Sequence, residues 1–201
     1  MNTTIAAIST AVSASGIGII RISGPEAMDV ISRIYRSKGG KKKIKEVPTH
    51  TCHYGYIYDG EEIVDEVLVM VMRAPKTFTG EDTVEIDCHG GVYAMNRVLE
   101  TVLKNGAKIA GPGEFTKRAF LNGRLDLSQA EAVMDVIQAK NEYALKSSMS
   151  QLKGSVQKTI KEIRSDLIYE SAFIESALDD PEHISLEGYP QKLHGIVEKE
   201  Q

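Results

Sequence analysis

No stretch of this chain is apolar enough to cross a bilayer: the longest aliphatic run, Val67 to Met72, falls far short of the ~20 residues a membrane helix needs. Nor does a cationic segment lead into an apolar run and a small-residue cleavage site near the start, so a secretory signal is not read and a cytoplasmic location is expected. Cysteine is scarce. Cys52 and Cys88 are the only two, which argues against a disulfide scaffold and for a reducing compartment. An excess of positive charge is missing as well, since 24 Lys and Arg stand against 28 Asp and Glu for a formal net charge of −4. Any contact with nucleic acid must therefore be local. What the chain does have is 42% hydrophobic and 26% charged residues over 201 positions, an ordinary folded composition long enough for one domain or two small ones.

The phosphate-binding glycine loops are absent in turn. Gly16-Ile17-Gly18-Ile19-Ile20-Arg21 starts like a dinucleotide fingerprint but carries Arg where the third glycine belongs, and no helix pattern opens there. Gly154 to Thr159 contains Lys158-Thr159, yet Gln157 replaces the glycine that lets a P-loop backbone wrap phosphate. The sequence therefore predicts no GTP binding or hydrolysis by this chain. His50, Cys52, His53, Cys88 and His89 match no zinc spacing, and adjacent strand residues point to opposite faces, so no metal site is expected.

The first half of the chain alternates short strand patterns with helix patterns. Thr4 to Thr10 and Gly18 to Ser23 are isoleucine-rich and bounded by Ser and Gly, as strands are. Gly24-Pro25 predicts a helix from Pro25 to about Tyr35. The basic stretch Arg36 to Lys45, with five lysines, reads as a solvated loop that could also touch RNA phosphates. Cys52 to Tyr58 and Ile63 to Met72 form a hairpin pattern about Asp59-Gly60, and Thr83 to Cys88 adds a strand. His89-Gly90-Gly91 then leads into a helix whose Met95, Val98, Leu99, Val102 and Leu103 share one face, with Asn105-Gly106 as its stop. At the start of that helix the free N–H groups would suit an anionic or carbonyl ligand; a plain tight turn is the competing reading. Lys108 to Ala110 reads as a return strand before the break at Gly111-Pro112-Gly113.

Beyond the break the pattern is helical. Glu114 to Asn122 ends at Gly123, and Ser128 with Glu131 three residues on reads as a capping box opening a long helix. Leu145, Met149, Leu152, Val156, Ile160, Ile163 and Leu167 continue at spacings of three and four, which predicts one buried stripe ending before Pro181. A short helix over Leu193 to Val197 follows, and the second unit reads as an incomplete helical domain. The expected division is 1–118 and 119–201. Of the polar residues in the first unit, Glu85 and Asp87 share a face of their strand, where a half-buried carboxylate needs a cation, hydrogen-bond donors or solvent.

Several segments taken together carry a resemblance. Ile5 to Thr10, Gly18-Ile19-Ile20-Arg21-Ile22-Ser23-Gly24, Phe78-Thr79-Gly80-Glu81-Asp82, His89-Gly90-Gly91, Pro112 to Gly123 and Leu125 to Ala132 resemble the MnmE/TrmE family over nearly the whole chain. The resemblance implies an α+β N-terminal domain like the tetrahydrofolate-binding fold of one-carbon transferases, followed by a helical domain into which a GTPase domain is inserted. The chain would then end before that insertion, leaving the family's potassium- and magnesium-dependent GTP site and its C-terminal cysteine motif outside it. It further implies a part in adding an aminomethyl-type group to the wobble uridine of tRNA, together with the flavoprotein MnmG (GidA). The one-carbon donor would be a tetrahydrofolate derivative such as 5-formyltetrahydrofolate, and the N-terminal domain would form a homodimer.

The family's folate contacts fall on Arg21, Glu85 and Arg124, with no catalytic residue in this chain. Arg124 departs from the family motif Asn-Gly-Lys-Leu-Asp-Leu, placing a planar fork where a point charge is expected. Two rival readings are a free-standing folate-dependent one-carbon transferase, which would need its own acid/base group or nucleophile, and a module that only dimerises.

Overall fold

A computed structural model describes residues 3–40 and 43–199. The chain divides into two compact units, Met1–Leu125 and Asp126–Gln201. The division falls after Leu125 rather than after residue 118, because the helix Glu114–Leu121 belongs to the first unit: it buries Arg118 and Ala119 there. The fold class is α+β.

The first unit is built on one seven-stranded sheet in the order β3-β4-β5-β6-β2-β1-β7. The strands are β1 Ile5–Ile8, β2 Ile17–Ser23, β3 Tyr35–Ser37, β4 Thr51–Asp59, β5 Glu62–Met72, β6 Thr83–His89 and β7 Lys108–Ile109. Neighbours are antiparallel except β1 and β7. Helices α1 (Ala27–Ile34) and α2 (Val92–Lys104) pack on one face. There Ile20, Ile22, Ile57, Val67, Val69, Val71, Val84 and Ile86 meet Val30, Ile31, Met95, Val98 and Val102 in one cluster. The period-two alternation of the strands sends every second residue the other way. Arg21, Glu85, Asp87, Leu68 and Tyr54 accordingly stand on the opposite face, in rows set by the pairings Arg21↔Glu85↔Met70 and Ile19↔Asp87↔Leu68↔Tyr54.

Several local expectations shift. Pro25 lies in a turn closed by the Ala27 N–H donating to the Gly24 carbonyl (3.1 Å), so α1 starts two residues later than predicted. The basic stretch is not wholly loop: Arg36 and Ser37 add a short edge strand to β4, and Ile44–Glu46 forms a 3-10 turn with Ile44 buried. Lys41 and Lys42 lie outside the described residues.

After α3 (Glu114–Leu121), the second unit comprises α4 Leu127–Gln138, α5 Glu142–Leu152, α6 Ser155–Asp179 and α7 Tyr189–Lys199. The capping box lies two residues before the expected one. The Asp126 carboxylate accepts from the Gln129 N–H (2.8 Å) while the Gln129 side chain accepts from the Asp126 N–H (3.0 Å). Asp126 wins because its extended backbone aims the carboxylate at the first turn; Ser128 sits inside the helix and donates to that carboxylate. The long stripe is broken in two at Gly154, whose φ of 86° ends α5. Nor is it buried: Leu145, Met149, Val156, Ile160 and Leu167 are exposed, and Leu152 and Ile163 are only half-buried. The buried residues of the unit include Ala132, Ser148, Ala177, Tyr189 and Glu170, and Glu170 accepts from the Tyr189 hydroxyl (2.5 Å) and the Lys192 ammonium (2.9 Å).

Candidate ligand site on the open sheet face

Strands β2 and β6 run side by side with Arg21 opposite Glu85, so both side chains leave the sheet on the face away from α1 and α2. They meet there. The Arg21 Nε–H donates to Glu85 Oε1 at 2.7 Å, with about a quarter of the Arg21 side chain and a fifth of the Glu85 side chain exposed. The pair uses one arginine donor and one carboxylate oxygen. Among the described residues the two Nη groups of Arg21 take no hydrogen-bond partner, and neither does Glu85 Oε2.

Two aromatic rings complete the setting. The Arg21 guanidinium carbon stands 5.7 Å from the centre of the Phe78 ring and 5.4 Å from that of Phe115. Phe78 comes from the loop between β5 and β6, and Phe115 from the first turn of α3. That loop is held from within by the Thr77 hydroxyl donating to the Glu81 carbonyl (2.7 Å), and from α3 by Asn122 Nδ2 donating to the Thr79 carbonyl (2.7 Å). Arg124 adds a third tie, its Nε–H donating to the Thr77 carbonyl at 3.3 Å. A lysine at 124 would have one nitrogen for this purpose. The arginine fork can hold the loop through Nε and still offer its Nη groups, which gives the departure from lysine a physical sense.

Beneath the loop lies a buried polar network that motif reading did not single out. Arg118, 1% exposed, donates through Nη1 to the Thr3 carbonyl (2.7 Å) and to both oxygens of Glu81 (3.2 and 3.1 Å). Its Nη2 donates to Glu114 Oε1 at 3.0 Å. The Ser23 hydroxyl donates to Glu81 Oε2 (2.8 Å), so one ion pair ties β2, the loop, α3 and the N-terminal segment together. The Gly111 N–H, and after it Arg118, holds the Glu114 carboxyl below the ordinary carboxylate range. Replacing one member of such a buried pair leaves the other uncompensated, which costs far more than the pair contributes. Phe78 and Phe115 were legible only as letters of two motifs; their approach to Arg21 depends on this network.

The other candidate residues fall elsewhere. Asp87 lies one step along β6 from Glu85, opposite Leu68 and Ile19, and its carboxyl is pushed up by burial and, secondarily, by the Glu85 charge. His89 donates its backbone N–H to Asp65 Oδ2 (2.8 Å) and shares a 2.6 Å bond between its Nδ1 and Asp65 Oδ1, both made from the end of β6, three residues before α2 begins. Cys88 is buried with its thiol donating to the Gly18 carbonyl (3.3 Å) and pushed up to about 11 by burial, while Cys52 is exposed. The two cysteines occupy opposite faces. Among the described residues, no three His, Cys, Asp or Glu side chains converge to hold a metal ion.

The profile of the family described as "GTP-binding protein TrmE N-terminus" matches residues 4–124, and that described as "MnmE helical domain" matches residues 127–199. The chain is 62% identical over 194 residues to the tRNA modification GTPase MnmE of Lachnoclostridium phytofermentans, covering 96% of this chain and 42% of that one. It is 53% identical over 192 residues to the protein of the same name from Geobacillus thermodenitrificans (94% and 41%). With that from Enterococcus faecalis the identity is 49% over 198 residues (98% and 42%). The chain thus spans about two-fifths of the length of the curated relatives it matches.

Proposed function

Because the chain belongs to the MnmE/TrmE family, we propose that it is the folate-binding and dimer-forming part of a tRNA-modification GTPase. In this reading the parent protein hydrolyses GTP with potassium and magnesium outside the sequence considered, which itself has no phosphate-cradling loop. It acts with the flavoprotein MnmG on the wobble uridine of tRNA in the cytoplasm. A tetrahydrofolate derivative, 5-formyltetrahydrofolate or a relative, supplies the one-carbon unit when bound. No helix among the described residues is long and apolar enough to cross a membrane.

The observation that supports the folate reading is the meeting of an acceptor, a cation and two rings drawn from β2, β6, the loop between β5 and β6, and α3, with a second cation bonded to that loop. Arg21 touches Glu85, Phe78 and Phe115, and Arg124 is bonded to the residue before Phe78. This donor set fits a reduced folate. The amino group and adjacent ring N–H on one edge of the pterin need a carboxylate acceptor, which the second oxygen of Glu85 supplies. The ring carbonyl beside that edge is an acceptor for the free Nη groups of Arg21, which its bond to Glu85 keeps at the pterin end, and the anionic glutamate tail at the other end of the ligand is a natural partner for Arg124.

Calorimetric titration with 5-formyltetrahydrofolate tests the assignment. Wild type binds, and Glu85→Gln, which replaces an acceptor by a donor, binds about ten- to a hundred-fold more weakly, the worth of one charge-assisted contact at roughly 1.5 to 3 kcal/mol. Asp87→Asn is the control. Should Asp87→Asn abolish binding while Glu85→Gln leaves it intact, the neighbouring carboxylate reads the ring.

A further inference from the structure

We propose that Phe78 and Phe115 are positioning residues that act through Arg21, holding its guanidinium as a fixed cation whose two Nη groups are presented to the ligand. The proposal rests on the folate reading only for the identity of that ligand. An arginine side chain is long, and an exposed one gives up considerable rotamer freedom when it binds an anion. Arg21 has lost that freedom beforehand. Its Nε–H is tied to Glu85 at 2.7 Å, and its guanidinium carbon stands over two ring faces, at 5.7 and 5.4 Å from their centres, close enough for the attraction between a cation and an aromatic quadrupole.

None of this consumes the Nη groups. A ring attracts the cation through its quadrupole without taking a full hydrogen bond from the Nη groups, whereas a second carboxylate in the same place would compete with the ligand for them. The rings themselves are anchored by bonds that do not involve Arg21. Phe78 lies between Thr77, bonded to the Glu81 carbonyl and to Arg124, and Thr79, bonded to Asn122. Phe115 lies three residues before the buried Arg118, whose pairing with Glu81 joins the helix bearing one ring to the loop bearing the other. The arrangement is a rigid frame around a mobile kind of side chain. Phe78 is 36% exposed, so leucine at that position keeps most of the packing and removes the quadrupole.

Affinity for 5-formyltetrahydrofolate is measured for Phe78→Leu, Phe115→Leu and Phe78→Tyr, each in the Arg21 and the Arg21→Gln chain, with melting temperatures as the check on folding. Each leucine variant binds about three- to thirty-fold more weakly than wild type, the range of a partly desolvated cation–ring contact, and the tyrosine variant stays within about two-fold of it. In the Arg21→Gln chain the leucine substitutions change affinity by less than about two-fold, because the group they act through is gone. Equal losses in both backgrounds would make the rings direct ligand contacts and overturn the proposal, as would leucine variants that bind like wild type.

A second measurement needs no ligand. In the NMR spectrum of the free chain the Arg21 Nε–H exchanges slowly with solvent and carries a ring-current shift, and both leucine substitutions speed its exchange. If wild type binds no folate at all, the folate reading fails while this signal still decides the positioning role; exchange unchanged by either leucine overturns it.

Discussion

Asp65 gathers three N–H groups on one carboxylate: the Glu66 N–H at 2.8 Å, the His89 N–H at 2.8 Å and the His89 ring at 2.6 Å. The hydrogen bond, and then the charge, of Asp65 lift the His89 imidazole above its ordinary 6.5. A histidine raised on folding stabilises the fold fully below the unfolded value and loses that contribution as pH climbs through the raised one. His89→Gln therefore lowers the melting temperature most below pH 6.5, and the gap to wild type narrows above it. Because the ring is largely exposed, the gap is small, no more than about 2–4 °C. Melting curves between pH 5 and 9 check this, and a gap that does not change with pH would show that His89 contributes only its backbone N–H. The sequence displayed His89 and its two glycines but not this partner. Asp65 is 24 positions away, on the strand next to β6, and only the register of β5 and β6 brings the two together. Arg21 was likewise legible as a member of a motif and Glu85 as a half-buried carboxylate on its strand, whereas their mutual bond depends on strand pairing across 64 positions.

The elements of the sheet were the most readable part, because alternation with period two states both that a segment is a strand and which side is buried. β4, β5 and β6 lie within a residue or two of their expected bounds, and the inner face of α2 carries the predicted Met95, Val98 and Val102. Helical periodicity is less informative. A stripe at spacings of three and four says that a helix has an apolar side; it does not say where a glycine in the left-handed region ends the helix, nor what covers the side. Gly154 supplies the first answer here and the exposure of Ile160 and Leu167 the second. Two overlapping cap motifs at the start of α4 had the same ambiguity, since Asp126 with Gln129 and Ser128 with Glu131 both satisfy the pattern. The structure distinguishes them, and so does stability. Asp126→Ala removes the acceptor of the Gln129 N–H and costs about 1 kcal/mol, within the usual 0.5 to 2 for a lost cap. Ser128→Ala removes only a hydroxyl that supports that acceptor and costs less. Denaturant titration of the two variants, with helix content followed by circular dichroism, settles the order; a larger loss in Ser128→Ala would return the cap to the serine.

At the scale of the whole chain, both units leave apolar surface exposed, and each offers the proposed dimer a surface through which to form. The first unit closes its core against its own helices, yet Ile17, Tyr54 and Leu68 remain exposed on the opposite sheet face, beside charges of both signs in Arg21, His89, Glu66 and Asp87. A face mixing apolar side chains with both signs of charge can be complementary to a second copy of itself, as a two-fold interface requires. The second unit exposes Ile137, Ile160, Leu167 and Ile168 instead, on helices whose buried residues are few. Chain composition alone could not rank these surfaces, because exposure is a property of the assembled fold; the division after Leu125 is what makes them separable in an experiment. If the proposed dimer forms through the first unit, the full chain and a chain stopped after Leu125 both sediment as dimers. Leu68→Lys then weakens association at least about ten-fold in both, since a buried leucine contact is lost and an ammonium must be desolvated in its place. Ile160→Lys leaves both the full-chain dimer and its dissociation constant unchanged. A monomeric 1–125 chain beside a dimeric full chain, with dissociation driven by Ile160→Lys, would move the interface to the helical stripe and leave the open sheet face to the ligand alone.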